Sequence, residues 1–171
     1  MKSRIALIVI GLCLLIASAK AQDRSDEKQA LRNLLGAVVL ISISDKEPRL
    51  ARHANKDELR RFVESELERG GLMLGKDKDL LRNPPTLAVM LEARQCDSLL
   101  VVRIDTTLID SVMTTRDPDT PFSAEIWSES YSVFLSAQDD DAKIKRVIRT
   151  ALDIFIEDWK QANPPRKEKV H

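Results

Sequence analysis

Cysteine is nearly missing from this chain, which has two in 171 residues, Cys13 and Cys96. Cys13 falls in a leader segment, so Cys96 stands alone in what remains, and a lone thiol forms no internal disulfide. The fold must therefore be held by burial rather than by a disulfide frame. Glycine is also scarce: Gly70, Gly71 and Gly75 lack the Lys-Ser or Lys-Thr pair of a phosphate-cradling loop. Charge of one sign is missing too, with 27 Lys and Arg against 27 Asp and Glu. With no basic excess and no basic stripe, nucleic acid is not an expected partner, because phosphate neutralisation needs clustered Lys and Arg.

Residues 1–21 read as a secretory signal peptide. Lys2 and Arg4 form a basic start, Ile5–Ile16 an apolar centre, and Ala19-Lys20-Ala21 a small-x-small cleavage site. The apolar centre is too short to span a bilayer. Leu12 before Cys13 does not fit a lipid-attachment signal, so no membrane anchor is expected after cleavage. Taking away Lys2, Arg4 and Lys20 leaves 24 basic residues against 27 acidic, a net charge of −3. The expected organisation is a single α/β domain over 22–163, followed by a disordered tail over 164–171.

Leu99–Val102 is a continuous apolar run that passes into strict alternation. Val102, Ile104, Thr106 and Leu108 take one face, and Arg103, Asp105 and Thr107 the other. This predicts a central strand, sandwiched in its first half and wet on one face in its second. Ser123–Ala137 returns as a partner strand. If paired residue numbers sum to 235, Val102 meets Val133, Ile104 meets Tyr131 and Leu108 meets Trp127, while Glu129 intrudes opposite Thr106.

Ala37–Ile43 reads as an earlier strand and Leu72–Leu74 as a short one. A short helix is predicted over Asp23–Leu35, ended by Gly36. Asn55 caps a second helix that Gly70-Gly71 stops. Asn83-Pro84-Pro85 predicts a helix start, with Thr86–Gln95 helical and Cys96 a small packed residue at its end. Asp139-Asp140-Asp141 opens a last helix whose stripe is Ile144, Val147, Ile148, Ala151, Phe155 and Trp159. The expected fold class is α/β: a single layer of about four strands in a mixed sheet, chain order β-α-β-α-β-β-α, with helices packed on it.

The junction Thr86–Ile104, TLAVMLEARQCDSLLVVRI, read as helix, acidic turn and apolar strand, resembles the amino-terminal α/β domain of TolB and the curli-secretion lipoprotein fold. Cys96-Asp97 stands where those families carry a small residue and Asp. The resemblance spans roughly residues 37–110 and implies an envelope domain that works through protein contacts.

No catalytic constellation is visible. Cys96 has only His53, in a loop, and His171, in the tail, to hold it as thiolate. The Asp139–Asp141 run lacks the alternating spacing of a calcium loop and is explained as a helix start. No serine has the flanking glycines of a nucleophile elbow. Neither cofactor nor metal is expected. The chain reads as an exported, non-catalytic periplasmic or secreted protein whose partner is another envelope protein. Two candidate interaction sites remain: the hairpin tip with Met113 and Phe122, and the loop with Arg49, Arg52 and His53. The loop lies beyond the first strand, where open α/β sheets bind small ligands or anions.

Overall fold

The computed structural model describes residues 24–44, 47–75, 84–113 and 120–164. The expected leader over 1–21, the charged connection Lys76–Arg82 and all of the expected tail but Pro164 lie outside the described residues. Within them run a helix α1 over 24–30, strand β1 Gly36–Ile43, a one-turn 3-10 helix Leu50–Arg52 and helix α2 Lys56–Gly70. Strands β2 Met73–Leu74, β3 Thr86–Cys96, β4 Leu99–Val112 and β5 Phe122–Leu135 follow, and helix α3 Asp141–Ala162 closes the order. One mixed sheet of five strands, in the order β2-β1-β3-β4-β5, carries the helices.

The class is the expected α/β, with one strand more and one helix fewer. Thr86–Cys96 is a strand, parallel to β1 (Val38 beside Thr86, Ile43 beside Leu91) and antiparallel to β4. Its decisive pattern is two-residue. Leu87, Val89, Leu91 and Ala93 are buried, whereas Met90, Glu92 and Arg94 are exposed. Helix-favouring Leu, Met, Glu and Gln were overridden by pairing on both edges. Pro84-Pro85 leads in extended, and the Pro85 carbonyl accepts the Val38 N–H at 2.9 Å. The strand-turn-strand at this junction also differs from the helix-turn-strand order on which the likeness to TolB was drawn.

Two consequences follow. The sheet's central strand is β3, not β4, and the first half of β4 is not sandwiched, since Leu99 is exposed and Val101 half-buried. Cys96 is exposed at a strand end rather than packed against a helix.

The β4–β5 hairpin keeps the expected register. Val102 pairs with Val133, Ile104 with Tyr131, Thr106 with Glu129 and Leu108 with Trp127. A bulge then shifts the pairing by one, so that Ile109 meets Glu125.

Helix ends follow local chemistry. Asn55 Oδ1 accepts the N–H groups of Asp57 and Glu58, at 3.0 and 3.1 Å, capping α2. Gly71, at φ 97°, ends it in the left-handed region. The α1 segment stops earlier than expected, with the left-handed turn at Asn33 (φ 63°) rather than at Gly36. Gly36 serves β1 instead, because a Cβ there would lie 2.1 Å from the Met73 carbonyl oxygen. The Asn163 amide donates to the Leu31 carbonyl at 2.8 Å and its oxygen accepts the Asn33 N–H at 2.7 Å, fastening that turn to the end of α3.

α2 and α3 bury their apolar sides against one face of the sheet. α2 brings Leu59, Val63 and Leu67, and α3 brings Ile144, Ile148, Leu152 and Phe155. These meet Val39 and Ile41 of β1, Val89 and Leu91 of β3, and Val102 and Ile104 of β4. Each large side chain so buried contributes on the order of 1.5–3 kcal/mol. Phe155 meets Trp127 edge-on, at 5.0 Å between ring centroids. Among the described residues no helix covers the opposite face.

Candidate functional site

β1 ends at Ile43, and the chain re-enters described structure at Glu47 to form the 3-10 turn. Leu50 is fully buried and anchors that turn to the core. With three residues per turn, positions i and i+3 of a 3-10 helix eclipse, and Arg49 and Arg52 stand in that relation. His53 caps the turn through its N–H to the Leu50 carbonyl at 2.9 Å. Its ring is fixed from across the sheet, with Nδ1 2.9 Å from the backbone carbonyl of Asp139. A carbonyl only accepts, so Nδ1 carries the proton, and Nε2 faces away from that bond.

The opposite wall comes from the other end of the chain. The β3–β4 turn contributes Ser98, after Asp97 in the left-handed region (φ 52°), and the loop after β5 contributes Ser136 and Asp139. Asp139 is committed to this wall. Its carboxylate accepts from the Ser136 N–H at 2.6 Å, the Ser136 hydroxyl at 2.9 Å and Lys143 Nζ at 3.3 Å. The backbone and hydroxyl bonds from Ser136, with Lys143 behind them, hold its carboxyl below the ordinary carboxylate range.

Between the walls lies a cleft of about 370 Å³. Among the described residues neither Arg49 nor Arg52 has an ion-pair partner at its guanidinium.

Met113 and Phe122 sit at the other end of the sheet, beside the last described residues of the β4–β5 hairpin, where Val112 pairs with Phe122. They are 66% and 48% exposed. The fold thus brings Arg49, Arg52 and His53 together, places Met113 near Phe122, and separates the two groups by the length of the sheet.

Three features escaped the sequence reading. The first is the helix-free sheet face. On β1 and β3 it shows Val38, Leu40 and Met90, with Leu40 45% exposed, and beside them the polar lattice of Arg103, Asp105 and Ser130. The second is Asp158, 3% exposed, which accepts from Lys28 at 3.1 Å, Arg24 at 3.2 Å and Trp127 Nε1 at 3.3 Å. An acid three residues beyond Phe155 on the α3 stripe was its signal. The third is Glu66, buried between α2 and α3, which pairs with Arg69 and, at 3.0 Å, with Arg149. Burial pushes the Glu66 carboxyl up, but the hydrogen bonds and charges of the two arginines outweigh it, so its pKa lies below the ordinary 4.5. Arg149 also lies over the Phe62 ring, 5.1 Å from its centroid.

Among the described residues no group of three His, Cys, Asp or Glu is placed to hold a metal, and no helix is long and apolar enough to cross a membrane.

No protein-family model and no curated protein matches the chain. Among solved structures, an uncharacterized protein is similar at 13% identity, over 76% of this chain and 92% of its own, with a TM-score of 0.38. A minor lipoprotein from Acinetobacter baumannii is similar at 10% identity, over 75% of this chain and 92% of its own, with a TM-score of 0.31. The rare lipoprotein B from Shewanella oneidensis is similar at 15% identity, over 73% of this chain and 89% of its own, with a TM-score of 0.23. Likenesses this distant carry no argument about role, so the functional reading rests on this chain's own residues.

Proposed function

We infer that this is an exported, non-catalytic domain that works in the cell envelope by holding another protein against its open sheet face. The observation that carries this reading is the exposed apolar group Val38, Leu40 and Met90 on neighbouring strands, on a face that no described helix covers. Beside it, β2 pairs only with Gly36 and Ala37, so among the described residues the outer edge of β1 from Val39 to Ile43 has no strand partner. An extended segment of a partner would add to that edge through main-chain hydrogen bonds, and its apolar side chains would meet Val38 and Leu40. The basic, apolar and small-residue order of residues 1–21 supports export.

A photo-crosslinking residue at position 40 should capture one defined protein from an envelope extract, and Val38→Asp should abolish the capture. Equal capture from position 61, on the exposed side of α2, would sink this reading. So would hydrolysis of generic ester, peptide or phosphate substrates that disappears with Cys96→Ala or His53→Ala.

A further inference from the structure

We propose that the cleft at the Arg49–His53 turn is a binding site for the phosphate group of a small, hydroxylated phosphate monoester. The site is separate from the open sheet face and does not depend on its role.

The first support is charge. Several described basic side chains are committed to acids: Arg69 and Arg149 to Glu66, Lys28 to Asp158, Lys143 to Asp139. Arg49 and Arg52 line a cleft with no such partner, and the one carboxylate of the wall, Asp139, is already satisfied by Ser136 and Lys143. Two guanidinium groups on one side of a 3-10 turn present a pair of planar donor forks, which match the oxygens of a dianion better than a single carboxylate.

The second support is the neutral lining. With Nδ1–H held by the Asp139 carbonyl, His53 leaves Nε2 for a ligand hydroxyl. Ser136 Oγ donates to Asp139 and keeps its lone pairs for the same purpose, and Ser98 adds a further hydroxyl. Arginines alone would recognise any anion, whereas these acceptors select one that carries hydroxyls. The third support is size. A cleft of about 370 Å³ suits one small molecule and is too small for a protein segment. Leu100 and Leu135, both buried, give it a rigid apolar floor rooted in β4 and β5.

The test is titration of the full-length mature chain with inorganic phosphate and with glucose 1-phosphate at constant ionic strength, read by calorimetry and by the shift in Tm. Phosphatidylcholine vesicles with and without phosphatidic acid form a second arm, because a lipid headgroup carries the same chemistry. The expected result is saturable binding, tighter for the sugar phosphate than for phosphate. Affinity should fall about tenfold for each of Arg49→Gln and Arg52→Gln. Both side chains are exposed and have no ion-pair partner among the described residues, so the ligand-free Tm should stay unchanged. Arg52→Lys keeps the charge but not the fork and should lose most of the same factor. Arginine-dependent binding in the vesicle arm alone would overturn the small hydroxylated ligand, because the phosphatidic acid headgroup carries no hydroxyl. Binding in neither arm, binding undiminished in the double variant, or an equal Tm shift with chloride would overturn the proposal.

Discussion

The two faces of the sheet are built on opposite terms. The covered face is continuous aliphatic and aromatic packing, and its two buried acids among the described residues, Asp158 and Glu66, are each paired by two cations. The open face is a patchwork, apolar at Val38, Leu40 and Met90 and again at Val101 and Phe134, and polar between them, where Arg103 bonds Asp105 at 2.9 Å and Ser130 bonds the same carboxylate at 2.6 Å. The difference separates two roles: the buried residues of one face are constrained by every neighbour and decide stability, whereas the exposed residues of the other, Val38, Leu40 and Met90 among them, decide what the protein meets.

Five substitutions or conditions break or sharpen that contrast. Phe155→Ala removes a fully buried ring packed on Trp127 and should cost about 3–5 kcal/mol in urea denaturation. Asp158→Ala should cost about 2 kcal/mol, less than a wholly buried pair would, because Arg24 is 44% exposed and its cation returns partly to water.

Acid should erode the covered face through Glu66. Its folded pKa lies below the ordinary 4.5, so its contribution is fully present above pH 4.5 and is lost as pH falls through the folded value. The stability gap between wild type and Glu66→Gln should therefore shrink between neutral pH and pH 3. A gap that stays constant would show that the carboxylate is not held by Arg69 and Arg149.

Thr106 tests the dryness of the covered face from the other direction. Its hydroxyl is buried opposite Glu129 and has no hydrogen-bond partner among the described residues, so Thr106→Val should raise stability by about 1 kcal/mol. On the open face, Leu40→Ser should change stability by less than about 0.5 kcal/mol while reducing partner capture. A loss there as large as that of Phe155→Ala would mean that Leu40 belongs to a core.

Legibility in the sequence followed the same division. The β4–β5 register was readable because apolar and polar residues alternate in step on both strands, and a slip of one residue would turn each set to the wrong side. The α2 cap, its glycine stop and the long α3 stripe were readable because they are local. Thr86–Cys96 was not, because LAVMLEARQ satisfies a helix pattern through Leu87, Met90 and Leu91 as well as a strand pattern through Leu87, Val89 and Leu91. At the cleft, the Arg49–His53 turn was legible as a basic loop past a strand. Its facing wall was not, because Ser136 and Asp139 lie more than 80 residues away in the chain.

By itself the sequence determined which segments must bury a face, where the capped helix α2 begins and ends, and how one hairpin pairs, since each rests on side-chain periodicity or on backbone groups a few residues apart. Tertiary structure alone decided that the ambiguous segment is the sheet's central strand, that one face stays open, and that two distant loops enclose a cleft. Those outcomes depend on which edges find hydrogen-bond partners and which surfaces meet across the fold, and neither is written in local spacing.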